Sequence, residues 1–273
     1  MVMKYASNGS LRNYLNQSFT DLTWGEKLYI LYTAAEGLVG IHGANLIHKD
    51  FHGGNIVING RMSLVTDFGL CKPVNLSSKT KSKQHVYGVL PYIAPEILCG
   101  EKYTQSADIY SFGMVMYEVA TGLPPFYKIP HNETLVIQIY QGFRPEIDVS
   151  NTPKLINDLI LRCWHANPKC RPTAKEVKDI LKIWLEEYND YLLYNKKEYS
   201  ELWKQIVAIE QSQSIGQFSN SQIKSTPSIR LNYTTHPQAV YTSRPINVSE
   251  FCKCVPIKFV FELKFSIERS NII

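Results

Sequence analysis

No stretch of this sequence approaches the ~20 uninterrupted apolar residues that a helix needs to cross a bilayer, so no membrane-spanning helix is expected. No run of Lys and Arg is dense enough to form a patch for nucleic acid or a membrane surface, and the net charge of +5 is mild for 273 residues. There is no paired cysteine framework either. Cys71, Cys99, Cys163, Cys170, Cys252 and Cys254 are scattered, and the last two are too close to staple anything. Free thiols fit a reducing compartment, so the expected location is intracellular: cytoplasmic, with the nucleus also open. Cys163, His165 and Cys170 would offer zinc ligands, but a fourth ligand and the usual spacing are missing. The opening Met1-Val2-Met3-Lys4-Tyr5-Ala6 has no basic segment leading into an apolar core, and a secretory signal is not expected. No internal repeats are visible.

What is present is a 44% hydrophobic chain long enough for one or two domains with a real core. Ser10 caps a short helix reaching Gln17. Thr23 and Glu26 form a capping box that opens a long apolar helix ending near Gly43. Two β runs, 55–58 and 63–65, are joined by Asn59-Gly60, a strong hairpin signal. Residues 104–121 read as an apolar helix stopped by Gly122 and Pro124-Pro125. Asn132-Glu133 caps a helix through Gln141, and Thr152-Pro153 starts another to about Trp164, with Pro at its first position. Thr173 and Glu176 form a second capping box for a helix to about Tyr188. From 189 onward the character changes. Residues 211–245, rich in Ser, Gln, Asn, Thr and Pro, read as disordered, and 257–267 alternate like an edge strand.

The chemistry-bearing residues come as an ordered series. His48-Lys49-Asp50 is followed five residues after Asp50 by Asn55, and after the hairpin by Asp67-Phe68-Gly69. Ala94-Pro95-Glu96, Asp108-Ile109-Tyr110-Ser111-Phe112-Gly113, Cys163-Trp164 and Arg171-Pro172 then follow. One such triplet is weak evidence; the whole series in order, with a hairpin between the second and third, is strong. Over residues 1–188 the sequence resembles the eukaryotic protein kinase family, with tyrosine-kinase-like Ser/Thr kinases nearest.

The resemblance implies a protein kinase-like α+β fold, here mainly the α-helical C-terminal lobe with one small β-hairpin, followed by a disordered tail over 189–273. It implies transfer of the ATP γ-phosphate to a protein Ser or Thr hydroxyl, with Tyr as a further option. It also implies ATP and Mg²⁺ as cofactors, protein substrates, and room for regulatory protein partners. Asp50 would orient the acceptor hydroxyl and take its proton. Asn55 and Asp67 would supply hard oxygen ligands to Mg²⁺. Met3, Lys4 and Ala6 resemble the adenine-binding hinge, Ser10 the ribose position, and Val57 the floor of the adenine pocket. Glu96 and Arg171 look like the ion pair that anchors the activation segment. Asp108 looks like the carboxylate that holds the catalytic loop, and His48 and Phe68 like members of an apolar stack. The stretch 73–87, with Ser77, Ser78, Thr80, Ser82 and Tyr87, corresponds to the activation loop.

Several positions depart from the family. A Gly-rich phosphate loop, a strand lysine and its helical glutamate cannot be placed, so the chain as it stands is expected to have weak or no activity. Lys49 replaces the usual Arg, keeping the charge without the bidentate fork. His52 and Val89 stand where Ser/Thr kinases carry a Lys–Thr pair. His52 is open to two roles: a partial cation near the γ-phosphate, or a structural ring bonded to backbone. Two other readings stay open, a non-catalytic partner-binding lobe and a small-molecule phosphotransferase, whose catalytic loop is similar but which lacks the segment from Ala94 to Arg171.

Overall fold

The computed structural model describes residues 6–74, 86–194, 200–218 and 233–247. A short helix, α1 (Leu11–Ser18), starts where the Ser10 hydroxyl accepts from the Asn13 amide. The long α2 (Trp24–Gly43) carries both halves of its capping box: Thr23 Oγ1 accepts from the Glu26 amide, and the Glu26 carboxylate accepts from the Thr23 amide. Short strands β1 (Leu46–Ile47) and β4 (Lys72–Pro73) pair antiparallel and flank a hairpin of β2 (Ile56–Asn59) and β3 (Met62–Val65). Asn59 pairs with Met62, so the turn residues are Gly60 and Arg61, one position later than expected, with Gly60 in the left-handed conformation.

Helices then dominate: α3 (Pro95–Leu98), α4 (Gln105–Thr121), α5 (Glu133–Tyr140), α6 (Lys154–Cys163) and α7 (Ala174–Tyr194). The core sits between α2 and α4. On α4 every residue from Ala107 to Ala120 is buried, so the helix is enclosed on all faces, with Asp108, Ser111 and Glu118 as its buried polar positions. One side of α4 receives α6, and α7 lies along α2. Pro153 occupies the capping position of α6 and Lys154 the first helical one, which shifts the expected start by one residue. Gly113 lies where α4 meets the C-terminal end of α6. A Cβ there would lie 2.7 Å from Trp164 Cδ1 and 2.8 Å from Cys163 Cβ. Gly113→Ala is therefore expected to destabilise by about 1–3 kcal/mol through overpacking. Urea unfolding should show a lower midpoint at unchanged slope.

The expected boundary at 188 and the disordered tail are corrected over two segments. Helix α7 runs on to Tyr194, and α8 (Glu201–Phe218) folds back on it, with Trp203 stacked on Tyr191 at 3.7 Å and with Leu202 and Ile206 buried. The cause is apolar spacing at Leu202, Trp203 and Ile206, one helical stripe inside a polar stretch. Residues 233–247 return across the other end of the domain, where β6 (Arg244–Ile246) pairs antiparallel with β5 (Val86–Gly88). The alternating run at 257–267, most of the activation loop and Cys252–Lys253–Cys254 lie outside the described residues. Among the described residues no helix is long and apolar enough to cross a membrane.

Candidate active site

The loop between β1 and β2 carries His48, Asp50, His52 and Asn55. It needs outside support, because Lys49 adopts φ 72°, a left-handed conformation that costs a non-glycine residue about 1–2 kcal/mol. Asp108, in the first turn of α4, provides that support. Its two oxygens accept from the His48 amide (2.8 Å) and the Lys49 amide (2.9 Å), and the His42 ring adds a third contact at 2.9 Å. The His48 ring is fully buried against Phe51 and Phe68, and burial lowers its pKa so that it stays neutral. Phe51 continues the stack to Phe112 of α4. Phe68 closes only one side of it and remains 52% exposed.

Asp50 is 6% exposed and carries donors on both oxygens. The Asn55 side-chain amide donates to its backbone carbonyl (2.9 Å) and to Oδ2 (3.2 Å). His52 Nδ1 accepts from the Gly54 amide at 3.0 Å, so the ring proton of the neutral form sits on Nε2, which lies 3.5 Å from Asp50 Oδ1. Of the two roles open to His52, the backbone bond is present, and the same ring also faces the carboxylate. Burial alone would push the Asp50 pKa up. The His52, Ser243 and Asn55 hydrogen bonds outweigh it and hold the carboxyl below its usual value, ionised at neutral pH.

The hairpin sets Asn55 beside Asp67. The Ile56–Val65 pairing continues outward, and Thr66 closes it by donating both its amide (2.8 Å) and its hydroxyl (2.9 Å) to the Asn55 carbonyl. Asp67 follows immediately in a left-handed conformation, with Oδ1 accepting from the Gly69 amide. It is exposed. Because the Asn55 Nδ2 is spent on Asp50, its neutral Oδ1 is the atom left to meet a ligand. An amide oxygen and a free carboxylate are a hard donor pair that suits Mg²⁺. Among the described residues no group of three or more His, Cys, Asp or Glu side chains forms a metal cage by itself, and this includes the Cys163, His165 and Cys170 trio.

The described part of the expected nucleotide edge lies against the same hairpin. Ser10 bridges to Val57, and the Asn8 amide and Gly9 carbonyl bond Ile58 on either side. Ala6 enters this strip, and the Gly9 amide donates to its carbonyl. Met3 and Lys4 lie outside the described residues. Ser10 and Val57 are therefore adjacent, as a shared pocket requires, although the Ser10 hydroxyl is also the cap of α1.

On the opposite flank, Arg171 binds Glu96 bidentately (2.7 and 2.8 Å), with both side chains almost wholly buried. Its remaining donors reach the Ser106 and His165 carbonyls. This pair fixes the segment between β5 and α3. Gly88 of β5 passes so near Asp50 that a Cβ there would stand 3.4 Å from Oδ1. Lys49 Nζ rests 5.0 Å from the centre of the Tyr103 ring, a cation–π contact in place of a fork. Sequence reasoning missed two features. One is a buried cluster in which Arg12 of α1 pairs with Glu118 of α4 (2.8 Å) and donates to the Tyr92 hydroxyl (2.6 Å). The other is Ser243, whose hydroxyl donates to Asp50 Oδ2 at 2.5 Å. Neither carries a local signal, since each depends on residues far apart in the chain.

Residues 1–181 match the family model described as protein tyrosine and serine/threonine kinase. A probable serine/threonine-protein kinase of Dictyostelium discoideum is 32% identical over 215 residues, covering 74% of this chain and 12% of the relative. A putative serine/threonine-protein kinase/receptor of Acanthamoeba polyphaga mimivirus is 34% identical over 192 residues, 69% of this chain and 12% of its own length. The mitogen-activated protein kinase kinase kinase 7 of Drosophila melanogaster is 27% identical over 274 residues, 92% of this chain and 38% of that protein. The chain thus spans a small part of the curated relatives it matches.

Proposed function

The chain belongs to the protein tyrosine and serine/threonine kinase family, and on that premise we propose that it transfers the γ-phosphoryl group of ATP to a Ser or Thr hydroxyl of a protein, Tyr being the less favoured acceptor. Asp50 positions the acceptor hydroxyl and takes up its proton. Asn55 and Asp67 hold Mg²⁺, which neutralises charge on the phosphates. Ser10, Val57 and Ala6, with Met3 and Lys4 upstream, form the nucleotide edge. His52 donates from Nε2 toward Asp50 and keeps that carboxylate oriented. The single observation that carries this reading is the Asp50 carboxylate. It is ionised, gripped by Asn55 and His52, and set at the mouth of the hairpin that ends in Asp67. The cysteines at 71, 163 and 170, none of them in a disulfide, fit action inside the cell.

The nucleotide half of the proposal has its own test. Millimolar Mg·ATP is expected to raise the melting temperature of the intact protein, by linkage worth about 2.7 kcal/mol at a hundred times Kd. Asp67 is exposed and holds little of the fold, so Asp67→Ala should melt near the wild-type temperature without nucleotide and lose the Mg·ATP shift. An equal shift in both proteins would count against the assignment.

A further inference from the structure

We propose that Ser243 is a phosphoacceptor of this same chain, delivered to Asp50 by a segment seated in the acceptor groove as a peptide substrate would be. The inference rests on the transfer reading above and deepens it by naming an acceptor.

Three independent contacts carry it. First, the Ser243 hydroxyl donates to Asp50 Oδ2 at 2.5 Å and lies 3.3 Å from His52 Nε2, where a hydroxyl about to lose its proton must sit. Second, the residues just after it form a strand on β5, with Arg244 opposite Gly88, Pro245 opposite Tyr87 and Ile246 opposite Val86. An extended peptide added to an exposed sheet edge is a recognised mode of peptide binding, in which main-chain bonds give affinity and alternate side chains give specificity. Ile246, three residues after the acceptor, is the one buried residue of this strand. Third, the residues before the acceptor are held as well. Tyr241 donates to the Pro125 carbonyl (2.9 Å), stacks its ring under the Arg12 guanidinium (4.4 Å) and meets His131 edge-on. The Arg244 guanidinium donates to the His131 carbonyl at 2.7 Å. An open cavity of about 520 Å³ lies beside the seam farther back, lined by Arg12, Asn13, Tyr233 and Tyr241 among others. The segment is thus held on both sides of the acceptor, as a bound peptide substrate would be.

In the reaction, Ser243 Oγ forms a bond to the γ-phosphorus of ATP as the bond from that phosphorus to the bridging oxygen breaks. ADP leaves with the electron pair, and the Oγ proton passes to Asp50. The product is phosphoserine beside a protonated Asp50; once Asp50 has released that proton to solvent, two like charges face each other and expel the segment from the groove.

The experiment incubates the intact protein with Mg·ATP and casein, maps phosphate by mass spectrometry, and follows amide hydrogen exchange at 86–88. Phosphate is expected on Ser243, with a fractional rate unchanged across a hundredfold range of protein concentration, since the transfer is intramolecular. Ser243→Thr should keep the label and Ser243→Ala lose it. Ile246→Asp should release the strand, deprotect the 86–88 amides, cut Ser243 labelling at least tenfold and raise casein labelling. Casein labelled with Ser243 bare would overturn the inference while leaving the transfer reading intact. So would unprotected 86–88 amides in the wild type. Neither protein labelled, with the strand still docked, overturns the transfer reading and this inference with it.

Discussion

Replacement of Asp50 by Asn is expected to lower kcat for phosphoryl transfer by about 10²–10⁴-fold, the usual loss when a general base is removed. The change keeps the size of the side chain and removes its charge. Asn55 retains its bond to the backbone carbonyl at position 50, and Asp67 is untouched, so the affinity for Mg·ATP should hold. The loss therefore falls on kcat. An equal rise in the KM for ATP would show instead that Asp50 shapes the nucleotide pocket. The carboxylate's lowered pKa sets the pH behaviour with a definite sign. A carboxyl held below its unfolded value contributes stability that is fully present above the unfolded pKa and is lost as pH falls through the folded one. Activity that depends on the ionised form should thus persist through mildly acidic pH. In Asp50→Asn the residual rate should lose that acidic limb.

The second large effect concerns Glu96 and Arg171. Removing either charge leaves its partner buried and unpaired, which costs about 3–5 kcal/mol. Glu96→Ala and Arg171→Ala should each lower the melting temperature by roughly 10 °C or more in a domain of this size. The arginine change is expected to be the worse, because the Ser106 and His165 carbonyls lose their donors as well. A double-mutant cycle reads the pairing directly. The double variant should cost far less than the two singles together, and strict additivity would show that the two groups do not act as a pair. Because Glu96 closes the segment that begins at β5, transfer to casein should also fall in variants held below their melting point.

These two sites show how far residues alone could go. The Asp50, Asn55 and Asp67 arrangement was legible because the hairpin between them is local: a two-residue turn and four paired positions fix where the ends meet. The Glu96–Arg171 contact spans 75 residues, and only the order of motifs along the chain suggested it. The helices were legible from caps and breakers such as Thr23, Thr173 and Gly122, which act within one turn. The second half of the chain was harder. Around Ser243 the composition is that of a disordered segment, since few apolar side chains are available to bury. Its order comes from pairing with β5 more than 150 residues earlier and from borrowed partners such as His131 and Arg12. The same holds for α8, whose apolar stripe is short and answers to Tyr188 and Tyr191 on α7. The Arg12–Glu118 pair was invisible for a related reason: each residue alone looks like an ordinary surface charge on a helix.

The β5–β6 register has a consequence for which hydroxyls can react. The paired triplet fixes the register of the chain that enters it, as a ruler would. With Arg244 locked to Gly88, the residue just ahead of the strand, Ser243, reaches Asp50 with its hydroxyl, while its neighbour Thr242, with an equally good hydroxyl, lies exposed. A slip of one notch would turn a competent nucleophile to face water. Choice among adjacent alcohols is therefore made by backbone alignment, before any side-chain preference is consulted.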